Sequence, residues 1–262
     1  MAKRSAQARR RHQRQGPEFQ GQHDESRYGD NVRRLFDEPA WSPLGSQGAN
    51  EERETKYRKN IRPQNDAQGA LIEAIDRSPL VFAAGAAGTG KTYLAVAKGV
   101  EALESGRVRR IVLSRPAVEA GESLGFLPGD MEEKLSPYLR PLYDALCDRL
   151  SGKRLKSLMA ESVIEIAPIA YMRGRTLNNA YIVIDEAQNC TYGQLKMLLT
   201  RLGWNSTMVV TGDPAQTDLL PGMSGLEDVI ARLGALEQVS VVRFSRADVV
   251  RHPLVAEMID AL

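Results

Sequence analysis

The chain has 262 residues, 42% of them hydrophobic and 26% charged, with a formal net charge of +2; this is the composition of one large or two small globular domains. Its longest apolar stretch, residues 80–84, is far below the roughly 20 residues of a membrane-spanning helix, and the basic start at Lys3 and Arg4 lacks the apolar segment of a secretory signal. Two cysteines, Cys147 and Cys190, make neither a disulfide framework nor a paired zinc site, so buried or half-buried thiols in a cytoplasmic setting are expected.

Charge is spread unevenly. Residues 1–60 hold 13 Lys and Arg against 9 Asp and Glu, and residues 61–262 hold 22 against 24. Within residues 1–16 lie Lys3, Arg4, Arg9, Arg10, Arg11 and Arg14 with no acidic residue. Such a basic arm admits two readings, a contact with nucleic acid phosphates or a solvated terminus. The following stretch is polar and broken by Pro17, Pro39 and Pro43, so residues 1–60 are expected to be a largely disordered tail.

From Arg62 onward short β-rich runs alternate with longer helical patterns. Strands are predicted over 80–84, 110–114, 163–167, 181–184, 207–211 and 239–244. Helices are predicted over 66–76, 91–105, 132–150 with proline interruptions, 192–202 and 226–233. This alternation implies a mostly parallel sheet of five or six strands flanked by helices, an α/β domain over residues 61–262. The last segment opens with Pro253 and carries Leu254, Val255, Met258, Ile259 and Leu262 on one face, which predicts a helix packed on the sheet.

Gly85, Ala86, Ala87, Gly88, Thr89, Gly90, Lys91 and Thr92 fit the phosphate-loop pattern G-x-x-x-x-G-K-[ST] between a predicted strand and a predicted helix. Glycines allow backbone N–H groups to turn toward phosphates at a helix N-terminus. Lys91 is then expected to reach the β and γ phosphates, and Thr92 to place its hydroxyl on Mg²⁺. Tyr181–Ile184 runs apolar into Asp185 and Glu186, a Walker B pattern at a strand's carboxyl end. Asp185 is expected to hold Mg²⁺, and Glu186 to orient or deprotonate water, which implies hydrolysis of ATP. Gln188 and Gln216 each follow a strand, so a neutral donor and acceptor is delivered twice to one sheet edge, as suits a γ-phosphate sensor.

With these residues in place, the chain resembles the PhoH-like family of P-loop ATPases, whose motor core is similar to that of superfamily 1 helicases. The resemblance runs from about Arg62 to Leu262 through residues 85–95, 114–130, 170–177, 185–189 and 248–255. It implies ATP hydrolysis by a RecA-like core, with a link to RNA or other single-stranded nucleic acid. By the helicase-like pattern Gln68 matches an adenine-contacting glutamine, Gln216 the γ-phosphate position, and Arg115 a motif that touches the nucleic acid backbone. About 200 residues after Arg62 leave no room for the second RecA-like domain of those helicases, so any cleft partner is expected from another subunit.

An arginine finger is therefore expected in trans, from Arg251 first, then Arg175, with Arg173 and Arg246 as further candidates, in a homo-oligomeric ring of six. His252 reads as a packing or capping residue, and Tyr171 and Trp204 as core or surface residues. Two other functions stay open at this point: a nucleotide-dependent assembly or signalling switch acting on a protein partner, and a small-molecule kinase, against which the water-positioning Glu186 argues.

Overall fold

The structure, a computed structural model, describes residues 61–116 and 131–250 together with Leu254 and Met258; over residues 131–137 it describes the backbone alone. The basic tail 1–60, residues 117–130, Arg251, His252 and most of the 253–262 segment lie outside the described residues.

Six strands follow in chain order: β1 (Leu80–Gly85), β2 (Arg110–Arg115), β3 (Ile164–Pro168), β4 (Ala180–Ile184), β5 (Thr207–Gly212) and β6 (Val239–Phe244). Each lies within one residue of the predicted bounds at both ends. All pair in parallel in one sheet of order β3-β2-β4-β5-β1-β6. Six helices connect or precede them: α1 (Asp66–Arg77), α2 (Lys91–Glu104), α3 (Met131–Cys147), α4 (Gly152–Ala160), α5 (Tyr192–Leu199) and α6 (Leu226–Leu233).

Strand residues alternate between two layers, as the two-residue pleat demands. Val81, Ala83, Ile111, Leu113 and Val183 pack with Leu71 of α1, Leu94 of α2, Leu142 of α3 and Leu155 of α4. Leu80, Phe82, Val112, Ile182 and Val210 pack on the other face with Leu195 of α5 and Val229 of α6. Burial on both faces explains why these strands read as continuous apolar runs rather than alternating ones.

The helical expectations are corrected at three places. The expected interruption of 132–150 does not occur: α3 runs unbroken through Pro137 and Pro141. The two prolines are four residues apart, so the missing N–H donors fall on one side of the helix, where Pro141 is exposed, while Leu142 and Leu146 are wholly buried. Helix α4, which periodicity did not single out, is started by the Ser151 side chain accepting from the Arg154 N–H and is held by buried Leu155 and Leu158. At the C-terminal segment, Leu254 and Met258 are helical but 56% and 50% exposed, whereas packing on the sheet would bury them. Among the described residues no helix is long and apolar enough to cross a membrane.

Because all strands are parallel, the carboxyl ends of β1, β2, β4 and β5 gather on one sheet edge, where open α/β sheets place their ligands. That edge receives the phosphate loop from β1, Arg115 from β2, Asp185 and Glu186 from β4, and Asp213 from β5.

Candidate nucleotide site

The phosphate loop starts from a backbone that admits only glycine at Gly85. There φ is +138°, and an added Cβ would collide with the Phe244 carbonyl of neighbouring β6. Gly90, at φ +84° in the left-handed region, is the N-cap of α2 and offers no side-chain cap. The N-caps of α1, α4 and α5 are instead closed by the side chains of Asn65, Ser151 and Thr191. The first amides of the 14-residue helix α2, at the positive end of its dipole, are thus left for an anionic ligand.

Lys91 is 7% exposed, and its ammonium donates to the Gly85 carbonyl at 2.8 Å, the Ala86 carbonyl at 2.7 Å and Thr89 Oγ1 at 3.2 Å. Burial pulls its pKa below the ordinary lysine value, and the charges of Asp213, Glu186 and Asp185 oppose that pull. The loop is therefore folded around its own lysine.

Asp185 follows β4 and is 2% exposed. Its Oδ1 accepts from Thr92 Oγ1 at 2.6 Å and from Thr211 Oγ1 at 2.6 Å. A hydroxyl and a carboxylate oxygen in direct contact are hard donors of the kind that would suit Mg²⁺. Among the described residues no group of three or more His, Cys, Asp and Glu could hold a metal ion. These donors fit a cation that arrives with a nucleotide.

Glu186 sits at φ +53° and ψ +41°, a left-handed conformation unusual for a residue with a side chain. Its Oε2 accepts from Gln188 Nε2, and its Oε1 lies 3.4 Å from Arg115 Nη2. Gln188 is 2% exposed and is used internally: its Oε1 also accepts from the Asp213 N–H at 3.0 Å. It links the loops after β4 and β5, so of the two glutamines only Gln216 is free to face a ligand. Gln216 is exposed and lines a cavity of about 290 Å³ with Gly90, Lys91, Thr92, Asp185 and Glu186.

Gln68 lies against Gly90 and is 5% exposed. Its Nε2 donates to the Thr89 carbonyl at 3.0 Å and its Oε1 accepts from the Gln64 N–H at 2.9 Å, so it braces the phosphate loop from behind. One N–H and one lone pair of that amide stay available to a ligand. It lines a second cavity, about 330 Å³, that shares Gly88, Gly90 and Tyr93 with the first. A hollow of about 710 Å³ lies elsewhere, at the amino ends of β1 and β5 beside Pro79 and Trp204, and holds none of these groups.

Asp213, to which sequence reasoning attached no role, is 7% exposed and accepts from the Ala87 N–H at 3.0 Å, tying the end of β5 to the phosphate loop. The signal for it is an acid two residues after the run 207–211, close to the pattern of β4, where Asp185 follows Ile184 directly. Of the arginine candidates, Arg175 is engaged within the chain: it forks onto Glu165, Nη1 to Oε1 at 2.5 Å and Nη2 to Oε2 at 2.6 Å. Arg173 and Arg246 are exposed, and Arg251 lies outside the described residues. Arg115 faces the two acids, with Nη1 3.7 Å from Asp185 Oδ2. Burial pushes the Cys190 thiol up to about 12, and the half-buried Cys147 thiol is also raised, so neither is a thiolate nucleophile at neutral pH. Trp204 and Tyr171 are surface residues, 83% and 61% exposed.

A parallel sheet with a phosphate loop after β1, a Walker acid after β4 and one strand between them defines a P-loop NTPase with a RecA-like core. The family model for PhoH-like proteins matches residues 60–262, and the chain belongs to that family. It is 55% identical over 204 residues to a PhoH-like protein of Bacillus subtilis, covering 78% of this chain and 64% of that one. It is 47% identical over 205 residues to Protein PhoH of Escherichia coli K12, covering 77% and 58%. The chain thus spans 58–64% of the length of these relatives. Among solved structures, a large terminase from a thermophilic bacteriophage superposes with a TM-score of 0.47 at 9% identity, over 76% of this chain and 50% of that one. The SWI2/SNF2 ATPase core of Sulfolobus solfataricus, solved with dsDNA, gives 0.45 at 16% identity, over 78% and 52%.

Proposed function

We propose that residues 61–262 form a Mg²⁺-dependent ATPase domain, that its cycle is coupled to single-stranded nucleic acid, RNA in preference, and that residues 1–60 act as a basic arm. The ATPase reading is carried by one observation: Thr92, Asp185, Lys91, Glu186 and Gln216 converge on a single cavity in front of an uncapped helix N-terminus. Mg²⁺, when bound, neutralises charge on the β and γ phosphates. Thr92 Oγ1 and Asp185 Oδ1 are the oxygens that would hold it. Lys91 turns from the loop carbonyls to the phosphate oxygens, and the amides of residues 85–92 carry the rest of the triphosphate. Glu186 takes a proton from water as the water oxygen bonds to the γ-phosphorus and the bond to ADP breaks. Gln216 reads the γ-phosphate, and Gln68 offers its remaining amide capacity to adenine.

The coupling reading rests on the family resemblance, on Arg115 and on the basic arm. An arginine finger, worth about 10³ to 10⁵ in rate in related chemistry, is assigned to a neighbouring copy in a six-membered ring, from Arg251 or from the exposed Arg173 or Arg246. Phosphate release from ATP, measured against protein concentration with and without single-stranded RNA or DNA at low salt, tests all three parts. Mg²⁺-dependent release that rises with RNA, at a rate per chain that grows with concentration, is expected. Absence of release overturns the ATPase, indifference to both nucleic acids removes the coupling, and full activity at high dilution removes the ring.

A further inference from the structure

The two acids after β4 are held in different ways. Asp185 is anchored by two hydroxyls at 2.6 Å each and is buried. Glu186 has a side chain 35% exposed and sits in a left-handed backbone, yet both of its carboxylate oxygens are engaged by protein: Oε2 by the Gln188 amide and Oε1 by the Arg115 guanidinium. A carboxylate serving as a general base must turn a lone pair to water. In this arrangement the oxygen that could do so faces a cation instead.

The two contacts differ in strength and in reach. Gln188 is buried and fixed by its second bond to the Asp213 N–H at 3.0 Å, so it stays where it is. Arg115 stands at the last position of β2 with a side chain 21% exposed, and its closest approaches to the acids, 3.4 and 3.7 Å, are longer than a charge-assisted hydrogen bond. The same sheet shows what a committed pair looks like, for Arg175 and Glu165 meet at 2.5 and 2.6 Å through both arms. Arg115 is therefore loosely held and partly exposed, and a guanidinium is matched well by the paired oxygens of a phosphate.

We propose that Arg115 is a positioning residue: it withholds Glu186 from water in the resting protein and releases it when a phosphodiester of single-stranded nucleic acid takes the guanidinium. This deepens, and rests on, the reading of the site as a nucleic-acid-coupled ATPase. No bond is made or broken in the release; one ion pair is exchanged for another, and the freed carboxylate then accepts the proton of the attacking water.

The test is steady-state ATP hydrolysis by the full chain and by Arg115→Ala, with and without single-stranded oligouridylate, reading kcat and KM separately. Arg115→Ala is expected to raise the unstimulated kcat roughly 10-fold, a small part of what a positioned general base contributes. That rise should bring it to the RNA-stimulated level of the parent, with KM for ATP unchanged and little further response to RNA. Arg115→Lys keeps the charge without the fork and is expected to retain part of both the restraint and the RNA response. Should Arg115→Ala not fold, Arg115→Gln carries the same expectation.

A folded, nucleotide-binding Arg115→Ala whose unstimulated kcat is at or below the parent's, with stimulation intact, overturns the restraint and leaves the nucleic-acid reading standing. A parent indifferent to RNA together with a raised kcat in Arg115→Ala removes the nucleic-acid reading and the release step, and leaves the restraint. A parent indifferent to RNA and an unaltered Arg115→Ala removes both.

Discussion

The phosphate loop and the loops that carry the acids meet at 2.6 Å, between Thr92 Oγ1 and Asp185 Oδ1, but they are assembled in different ways. The phosphate loop is eight consecutive residues whose chemistry is backbone amides, one lysine and one hydroxyl in fixed covalent order. The acid side is drawn from three strands: Arg115 ends β2, Asp185 and Glu186 follow β4, and Thr211 lies near the end of β5 with Asp213 after it. Its members hold one another, Gln188 to Asp213 and Thr211 to Asp185, and Asp213 ties them to Ala87 of the phosphate loop. A local device of the first kind fails when one of its own residues is lost. A cross-strand device of the second kind can also be retuned where, as at Glu186 beside Arg115, a group's position depends on a neighbour that a ligand can reach.

The largest expected effect breaks the local device. Lys91→Ala should lower ATP turnover by on the order of 10³ or more, by loss of the charge at the β and γ phosphates, and weaken nucleotide binding as read by equilibrium titration. Glu186→Gln, on the cross-strand side, should lower turnover by roughly 10² to 10⁴, the range for a general base, while binding is kept and ATP remains trapped. Unaltered turnover would remove Glu186 from the chemistry. Asp213→Ala cuts the tie between the two regions. A loss of about 10-fold in turnover is expected, with about 1–3 kcal/mol of stability, the cost of unsatisfying the Ala87 and Ala215 donors, seen as a lower unfolding midpoint.

The smallest effect sharpens the comparison from outside the site. Arg175→Ala should leave turnover within about two-fold and cost about 1 kcal/mol or less, as a partly exposed ion pair does. The Arg175 guanidinium holds the Glu165 carboxyl below the ordinary glutamate value of 4.5. Its contribution is thus complete above that value and is lost as pH falls through the depressed one. Denaturant unfolding of the parent and of Arg175→Ala should differ above about pH 4.5 and converge as the pH falls below it; a difference that grows on acidification would contradict the pairing.

The difference between the two regions also sets what the sequence could reveal. All six strands were legible because both-face burial writes them as compact runs of Val, Ile and Leu, and the phosphate loop because covalent spacing is its geometry. Helix α4 was not, since nine residues with two buried leucines give a weak period. The pairing of Arg175 is not legible, because nothing local announces Glu165, ten residues earlier on β3. Gln188 was taken for a sensor like Gln216, and only tertiary contacts separate the buried linker from the exposed amide. Arg115 was legible as a strand-end arginine, but its pairing with Glu186 exists only through the adjacency of β2 and β4.

The most direct measurement is equilibrium binding of ATP to the full chain, with and without Mg²⁺, beside Lys91→Ala. The parent should retain ATP when Mg²⁺ is present and bind it more weakly without the ion, and Lys91→Ala should lose it in both conditions. A parent that retains no adenine nucleotide with Mg²⁺ supplied, or a Lys91→Ala protein that binds as the parent does, would contradict the account at its base.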